Sequence, residues 1–411
     1  MANIIPFKGT LYNPEKVKDI SKVVAPPYDV ISPAEQEELY NLDPYNIIRI
    51  LLGKDFPEDN EKENKYTRSS GFIKNWQDNG ILKKDDKPSI YINLQEFEIQ
   101  GQLKNRLGFI ALLKLEDFDT KSSSVYPHEN TLIAPKEDRE KLIKAIEANL
   151  GPIFAIFEDK KDDIGKILKV EMRLPPLIDI FDNHGIRNKL WRISGTKKLE
   201  EITRSMKEKK IFIADGHHRY EVGLMFSKFK KDPKYGHILT YFTGLCKDGI
   251  VILPVHRLIA GAREEILSSM ELDLKKDFIV KLIASKDDAR AFLKNARLLE
   301  SRFVIYKKKD RFIGLVFNGK KSLDVSIVKD LIISPIEKKL TVNNEKISID
   351  FTKDLDYAIK EVDEDRVSFA ILLNPTKITQ IRDVAFSGER MPQKSTYFYP
   401  KVLTGLVMNV F

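Results

Sequence analysis

Residues 211–224 read IFIADGHHRYEVGL. An apolar run of strand character ends in Asp-Gly-His-His-Arg and passes at once into an amphipathic stretch of helical spacing. A strand running through glycine into a helix is a recurrent phosphate-binding device. The first helical N–H groups have no intrahelical partner, and the positive end of the helix dipole faces the ligand. Gly216 sits at that junction, where the missing Cβ lets a ligand approach the backbone. Arg219 offers a bidentate fork for phosphate oxygens, and His217 and His218 add donors or shuttle a proton near neutral pH. Asp215, at the strand end, is placed to orient a histidine, hold a divalent metal or act as a base. The blander reading is Asp215 as a helix N-cap beside surface histidines. A cap needs neither the paired histidines nor the arginine, so the functional reading is preferred. An exposed arginine at a helix start contributes little to stability, so Arg219→Ala is expected to leave the fold intact.

Outward from this junction, the chain alternates. GPIFAIFED reads as a buried strand, 161–170 as a helix, NHGIRNKLWRIS as a strand entered from a tight turn and TKKLEEITRSMKEK as a helix. The strand and helix of the opening stretch follow. This alternation predicts an α/β core. Nearer the start, Ser32 before Pro33, with Glu35 three residues on, caps a helix. SSGFIKNWQDNG has helical spacing with an Asn-Gly stop, and residues 89–117 alternate like a hairpin. After Pro254 the pattern loosens to α+β, with helices near 262–270, 286–296 and 323–332 and a hairpin in FVIYKKKDRFIGLVF. Two domains are expected, a 1–260 core and a 261–411 C-terminal α+β region that contributes to the site.

A chain of 411 residues with 42% hydrophobic and 32% charged residues has the makeup of a folded globular protein of two or three domains. Its apolar runs fall short of a bilayer span, and MANIIPFKGT does not read as a signal peptide, so a cytoplasmic protein is expected. A single cysteine, Cys246, excludes an internal disulfide framework and a cysteine zinc cluster, and is expected to be a small buried hydrophobe. Lys+Arg 69 against Asp+Glu 61 leaves +8, a moderate excess spread over alternating charges. That excess suits a phosphorylated ligand but does not make a DNA-binding domain.

Four further stretches carry chemistry. VAPPYDVIS fixes an extended turn with Pro26 and Pro27 and presents Tyr28 and Asp29, as substrate contacts or as part of an architectural turn. YPHENTLIAPKEDR sets His128, Glu129, Lys136 and Arg139 in a polar loop before a helix, without the HExxH spacing of a zinc site. GERMPQKSTYFYPK holds Arg390, Lys394, Ser395 and Thr396 beside Tyr397 and Tyr399, suited to phosphate and a ring, although no P-loop is present. PVHRL repeats a His-Arg pair at His256 and Arg257, a candidate for the same pocket.

Together, ADGHHRYE, VAPPYDVIS, PHENT and GERMPQKSTYFYPK resemble the domain-of-unknown-function family 1015 over essentially the whole chain. Within that family the Gly-x-His-Arg core is similar to the nucleotide-phosphate motif of the ParB/sulfiredoxin superfamily, which includes free serine kinases. The resemblance implies a ParB/sulfiredoxin-like mixed sheet with helices for the α/β core. Where sulfiredoxin has its reactive cysteine, this chain has His217, which argues against sulfinic acid reduction.

The expected function is phosphoryl transfer on a small metabolite, by a kinase or phosphatase, with serine or phosphoserine as substrate by resemblance alone. ATP or ADP and Mg2+ are the cofactors such chemistry uses. The catalytic candidates are Asp215, His217, His218 and Glu129, with Asp215 first as base. Gly216, Arg219, Lys394, Ser395, Thr396 and Arg390 are expected to bind phosphate or nucleotide, and Tyr28, Asp29 and His128 the substrate. The alternative is a ParB-like nucleotide-binding switch or DNA-associated regulator, but no helix-turn-helix or basic tail is legible.

Overall fold

The computed structural model describes all residues except 1, 119–122, 132, 246–248, 263–272, 298–299, 320–322 and 342–345. It divides the chain into two units, residues 1–251 with 400–411, and residues 252–399.

The first unit is built on a nine-stranded mixed sheet. Its order runs Val125–Tyr126, Ile211–Asp215, Ile153–Phe157, His237–Gly244, Gln102–Lys114, Ile90–Ile99, Arg187–Ile193, Ile178–Phe181, with Ile4–Ile5 also paired to Gln102–Lys114. Two pairings are parallel, Ile211–Asp215 with Val125–Tyr126 and His237–Gly244 with Ile153–Phe157. The long hairpin turns at Gln100 and Gly101, both at positive φ (51° and 72°), the two-residue turn whose twist matches paired strands. Alternate residues Ile90, Ile92, Phe109, Ala111, Ile153, Ala155, Ile211 and Ile213 fall in one buried cluster. The helix Thr196–Lys207 adds Leu199, Ile202 and Met206, spaced three and four apart so that they share a face.

The helix predicted after Ser32 spans Pro33–Leu42, with the Ser32 hydroxyl accepting from the Glu35 N–H at 3.2 Å. The helix expected from Ser69 starts earlier, at Lys65, because Asn64 and Thr67 form a capping box.

The second unit holds a six-stranded antiparallel sheet, ordered Ile279–Ile283, Arg311–Phe317, Ser301–Lys307, Phe369–Leu372, His256–Ala260, Ser348–Thr352. Helices Lys286–Lys294 and Leu355–Asp363 supply Ala289, Leu293, Ala358 and Val362 to its core. The helices Leu355–Asp363 and Ile378–Ser387 and the strand Ser348–Thr352 are not among the elements expected for this region. The helix expected near 262–270 lies largely outside the described residues, as does Cys246.

The division differs from the expected 260/261 boundary at both ends. His256–Ala260 pairs with Ser348–Thr352 and Phe369–Leu372, so it belongs to the second sheet. Residues 400–411 return to the first unit, where Asn409 and Val410 pair with Asn149 and Ala148 and the Met408 N–H donates to the Thr10 carbonyl at 2.9 Å. Among the described residues no helix is long and apolar enough to cross a membrane.

Candidate functional site

The strand Ile211–Asp215 is buried up to its last residue, and a register shift against Ile153–Phe157 falls between Ile213 and Asp215. Such irregularities re-aim side chains. The chain then turns at Gly216, φ 91°, and enters the helix His217–Lys230. A Cβ at Gly216 would lie 2.9 Å from Ile153 Cγ2 and 3.0 Å from Arg219 Nη2, so both the angle and the space require glycine here.

Asp215 organises the cations around the turn. Its Oδ2 accepts from Arg219 Nη2 at 2.9 Å and its Oδ1 from Lys401 Nζ. Arg219 also donates from Nη1 to the Pro152 carbonyl at 2.6 Å and, more weakly, to that of Gly151 at 3.4 Å. Its side chain is 17% exposed. This corrects the expectation of an exposed arginine that can be removed without loss: Arg219 ties the helix start to the strand end and to the 151–152 segment. With both oxygens of Asp215 already holding a cation, its place is to set the charge of the turn. One carboxylate between two cations leaves the cluster net positive beside a helix N-terminus.

Lys401 was not singled out in the sequence, although it closes the quoted C-terminal stretch. The strands of the long hairpin hold it. Gln95 Nε2 donates to the Lys401 carbonyl at 3.0 Å, and Arg106 Nη2 to the Pro400 carbonyl at 2.5 Å. Arg106 is fully buried, bonded through Nε to Gln95 Oε1 at 3.1 Å, with its guanidinium 4.6 Å from the Phe154 ring centre. A charged residue at an inward position of an alternating strand was the signal available for it.

The His-Glu-Asn loop meets the same turn. Following the parallel pairing of Val125–Tyr126 with Ile211–Phe212, His128 is fully buried and its Nδ1 bonds the Ile213 carbonyl at 2.6 Å. A carbonyl only accepts, so that nitrogen carries the proton. The His128 and His217 rings meet edge to face at 4.7 Å, and the His128 backbone N–H donates to His217 Nε2 at 3.4 Å. Burial lowers the His128 pKa to about 4, against the raising effects of the Ile213 bond and the Asp215 charge, so the ring is neutral at physiological pH. Expected as a substrate contact, His128 is placed instead to hold the loop. His217 is itself mostly buried, whereas His218 and Glu129 are half-buried. Lys136 and Arg139, expected in the loop, lie on the helix Ile133–Ile146 instead; Thr131 from the loop and Lys136 from that helix both reach Glu221 Oε2, each at 2.7 Å, fastening both segments to the site helix.

The Pro26-Pro27 turn brings Tyr28 to the same region. Its ring lies 4.1 Å from the Arg139 guanidinium, which donates from Nη1 to the Leu51 carbonyl at 2.8 Å. Burial first, then the Asp29 and Asp215 charges, push the Tyr28 phenol up to about 12, against the opposing pull of Arg139 and Arg219. The phenol is therefore a donor at neutral pH. Asp29 is exposed.

Arg390, Lys394, Ser395, Thr396 and the His256-Arg257 pair lie in the second unit. There Arg257 Nη2 donates to the Lys394 carbonyl at 3.4 Å, Thr376 Oγ1 to that of Ser395 at 2.9 Å, and the Leu373 N–H to His256 Nδ1 at 3.2 Å. Among the described residues no three His, Cys, Asp or Glu side chains converge as a metal site.

The model of the family described as "Protein of unknown function (DUF1015)" matches residues 4–357. The chain belongs to that family. No curated protein matches it significantly. Among solved structures, a conserved hypothetical protein from Pyrococcus furiosus is 11% identical, with TM-score 0.38 over 68% of this chain and 89% of its own. A free serine kinase in complex with AMP is 12% identical, with TM-score 0.37 over 67% and 83%. SbnI with a C-terminal truncation, from Staphylococcus aureus, is 11% identical, with TM-score 0.36 over 72% and 85%. Likeness this loose carries no functional argument.

Proposed function

We propose that this member of the family is a phosphoryl-transfer enzyme acting on a small metabolite, with the nucleotide or substrate phosphate held at the Gly216 turn. The observation that carries the reading is the Asp215–Arg219–Lys401 cluster at the start of His217–Lys230. A net positive charge, a helix N-terminus and a glycine at φ 91° converge where a phosphate oxygen approaches the backbone. On this reading the first unit has a ParB/sulfiredoxin-like core.

The chemistry such a site supports is mostly positioning and charge stabilisation. Arg219 and Lys401 would share their charge between Asp215 and the phosphate, holding it against the turn. His217 Nε2 already accepts from the His128 N–H, so on this reading the proton to or from a hydroxyl group would pass through His217 Nδ1 or His218. His218 and Glu129 stand next to it in sequence and across the loop. Magnesium carried on nucleotide phosphates takes one or two protein carboxylates. Both oxygens of Asp215 face Arg219 and Lys401, so Glu129 is the carboxylate that would hold the ion, which would supply further neutralisation of phosphate charge.

Serine and phosphoserine are the first substrates to try. Purified protein incubated with ATP or ADP, magnesium and a set of small hydroxylated metabolites should yield a new phosphomonoester by phosphorus NMR, or inorganic phosphate from a phosphorylated set. Absence of both, under conditions where no phosphorylated compound binds, would remove the enzyme reading.

A further inference from the structure

Behind Arg219 the first unit contains a cavity of about 70 Å³ that the motifs did not announce. Its floor is aliphatic. Leu142 and Ile146 come from the helix Ile133–Ile146, Val222 from the site helix and Ile238 from the strand His237–Gly244. Its polar lining is Tyr28, Arg139 and Arg219, with Asn149 and Thr404. The Tyr28 hydroxyl makes no hydrogen bond to any described residue, although its ring is held by Arg139. With no partner among the described residues, the Tyr28 phenol has its donor available to a ligand at the cavity wall.

The size and lining limit what enters. A dry apolar cavity of 150 Å³ accepts benzene, so by proportion this one takes roughly three carbon atoms. The polar partners that water needs lie on the Tyr28, Arg139, Asn149, Arg219 and Thr404 side, while the aliphatic floor offers none. The occupant is therefore apolar at its inner end and polar at the end facing Tyr28 and Arg219.

We propose that this cavity is a substrate-specificity pocket that admits a short aliphatic chain of about three carbons, from a small anionic metabolite whose charged end is held by Arg219 and Tyr28. The proposal rests on the phosphate site at the Gly216 turn and narrows its substrate class. A single methylene, as in serine, would cover only part of the floor, so serine or phosphoserine would bind more weakly than a three-carbon homologue, and a longer chain would not fit.

The test is calorimetric titration of the full chain with methyl, ethyl, n-propyl, n-butyl and n-hexyl phosphate, alongside inorganic phosphate and ADP. Affinity should rise about three- to fourfold per methylene up to propyl, and fall at hexyl. Ile146→Phe, which fills the floor, should flatten the series while ADP still binds. Should that variant fail to fold, Val222→Ile adds one methylene and should move the preferred chain one carbon shorter. Tyr28→Phe should weaken every member of the series by a similar factor of about tenfold. A flat series in the wild type, with phosphate and ADP binding intact, overturns the pocket and leaves the phosphate site standing. Failure of phosphate, ADP and every alkyl phosphate to bind overturns both.

Discussion

The ammonium of Lys401 rests on the carboxylate of Asp215, 186 residues away in the sequence, in a pair where both side chains are largely buried. The relationship joins the last segment of the chain to the strand end that carries the glycine turn. It brings Lys401 to the candidate site, with its backbone pinned by Gln95.

Removing the lysine leaves Asp215 with Arg219 as its charged partner. Lys401→Met should lower stability by about 1–2 kcal/mol, less than the 3–5 kcal/mol typical of breaking a buried pair, because Arg219 still holds the carboxylate. A urea midpoint shift of that size with unchanged slope checks it. No shift would mean that the pair has no energetic weight.

Gly216→Ala places a Cβ where φ is 91° and Ile153 already lies close. The left-handed conformation alone costs an L-residue about 1–2 kcal/mol, and the contact adds to it. Thermal unfolding should show the loss, and binding of phosphate should weaken along with it as Arg219 is displaced.

Arg219→Ala should be destabilising by about 2–3 kcal/mol, because it removes a charged donor from two backbone carbonyls and from Asp215. Arg219→Lys keeps the charge and loses the fork, and should fall between alanine and wild type. Equal stability of all three would contradict the tethering role.

The pH dependence has a definite sign. Folded His128 takes up a proton only near pH 4, whereas the unfolded ring does so near its ordinary 6.5. Between those values the unfolded state binds more protons, so the contribution is complete above about pH 6.5 and is lost as pH falls towards 4, by up to about 3 kcal/mol. His256, in the second unit, is lowered to about 4 for the same reason and acts in the same window. In urea unfolding, His128→Gln should lose less stability between pH 7.5 and 4.5 than the wild type does. An identical loss would show that His128 is not buried in its neutral form.

Much of the first unit was legible because its signals are local. Alternation marked the long hairpin, Ser32 and Pro33 marked a helix start, and the apolar run into Gly216 marked the site turn. What was not legible depends on pairing between distant segments. Nothing near Lys401 indicates that Asp215 is its partner, and nothing near His256 shows that its strand pairs with Ser348–Thr352. Arg219 was recognised as chemically important but read as exposed, because the carbonyls of Gly151 and Pro152 reach it only through the folded sheet. The polar residues of the C-terminal motif were read as one group, yet Lys401 falls in the first unit and Arg390, Lys394, Ser395 and Thr396 in the second.

The proposed phosphate position at the Gly216 turn lies between Arg219 and Lys401. Titration calorimetry of ADP, ATP and inorganic phosphate, with and without magnesium, against wild type and Lys401→Met tests it most directly. At least one of these ligands should bind the wild type saturably and bind Lys401→Met tenfold or more weakly, the range for losing a hydrogen bond to a charged group. Binding of equal strength to both proteins, or binding of none of the three to the wild type, would contradict it.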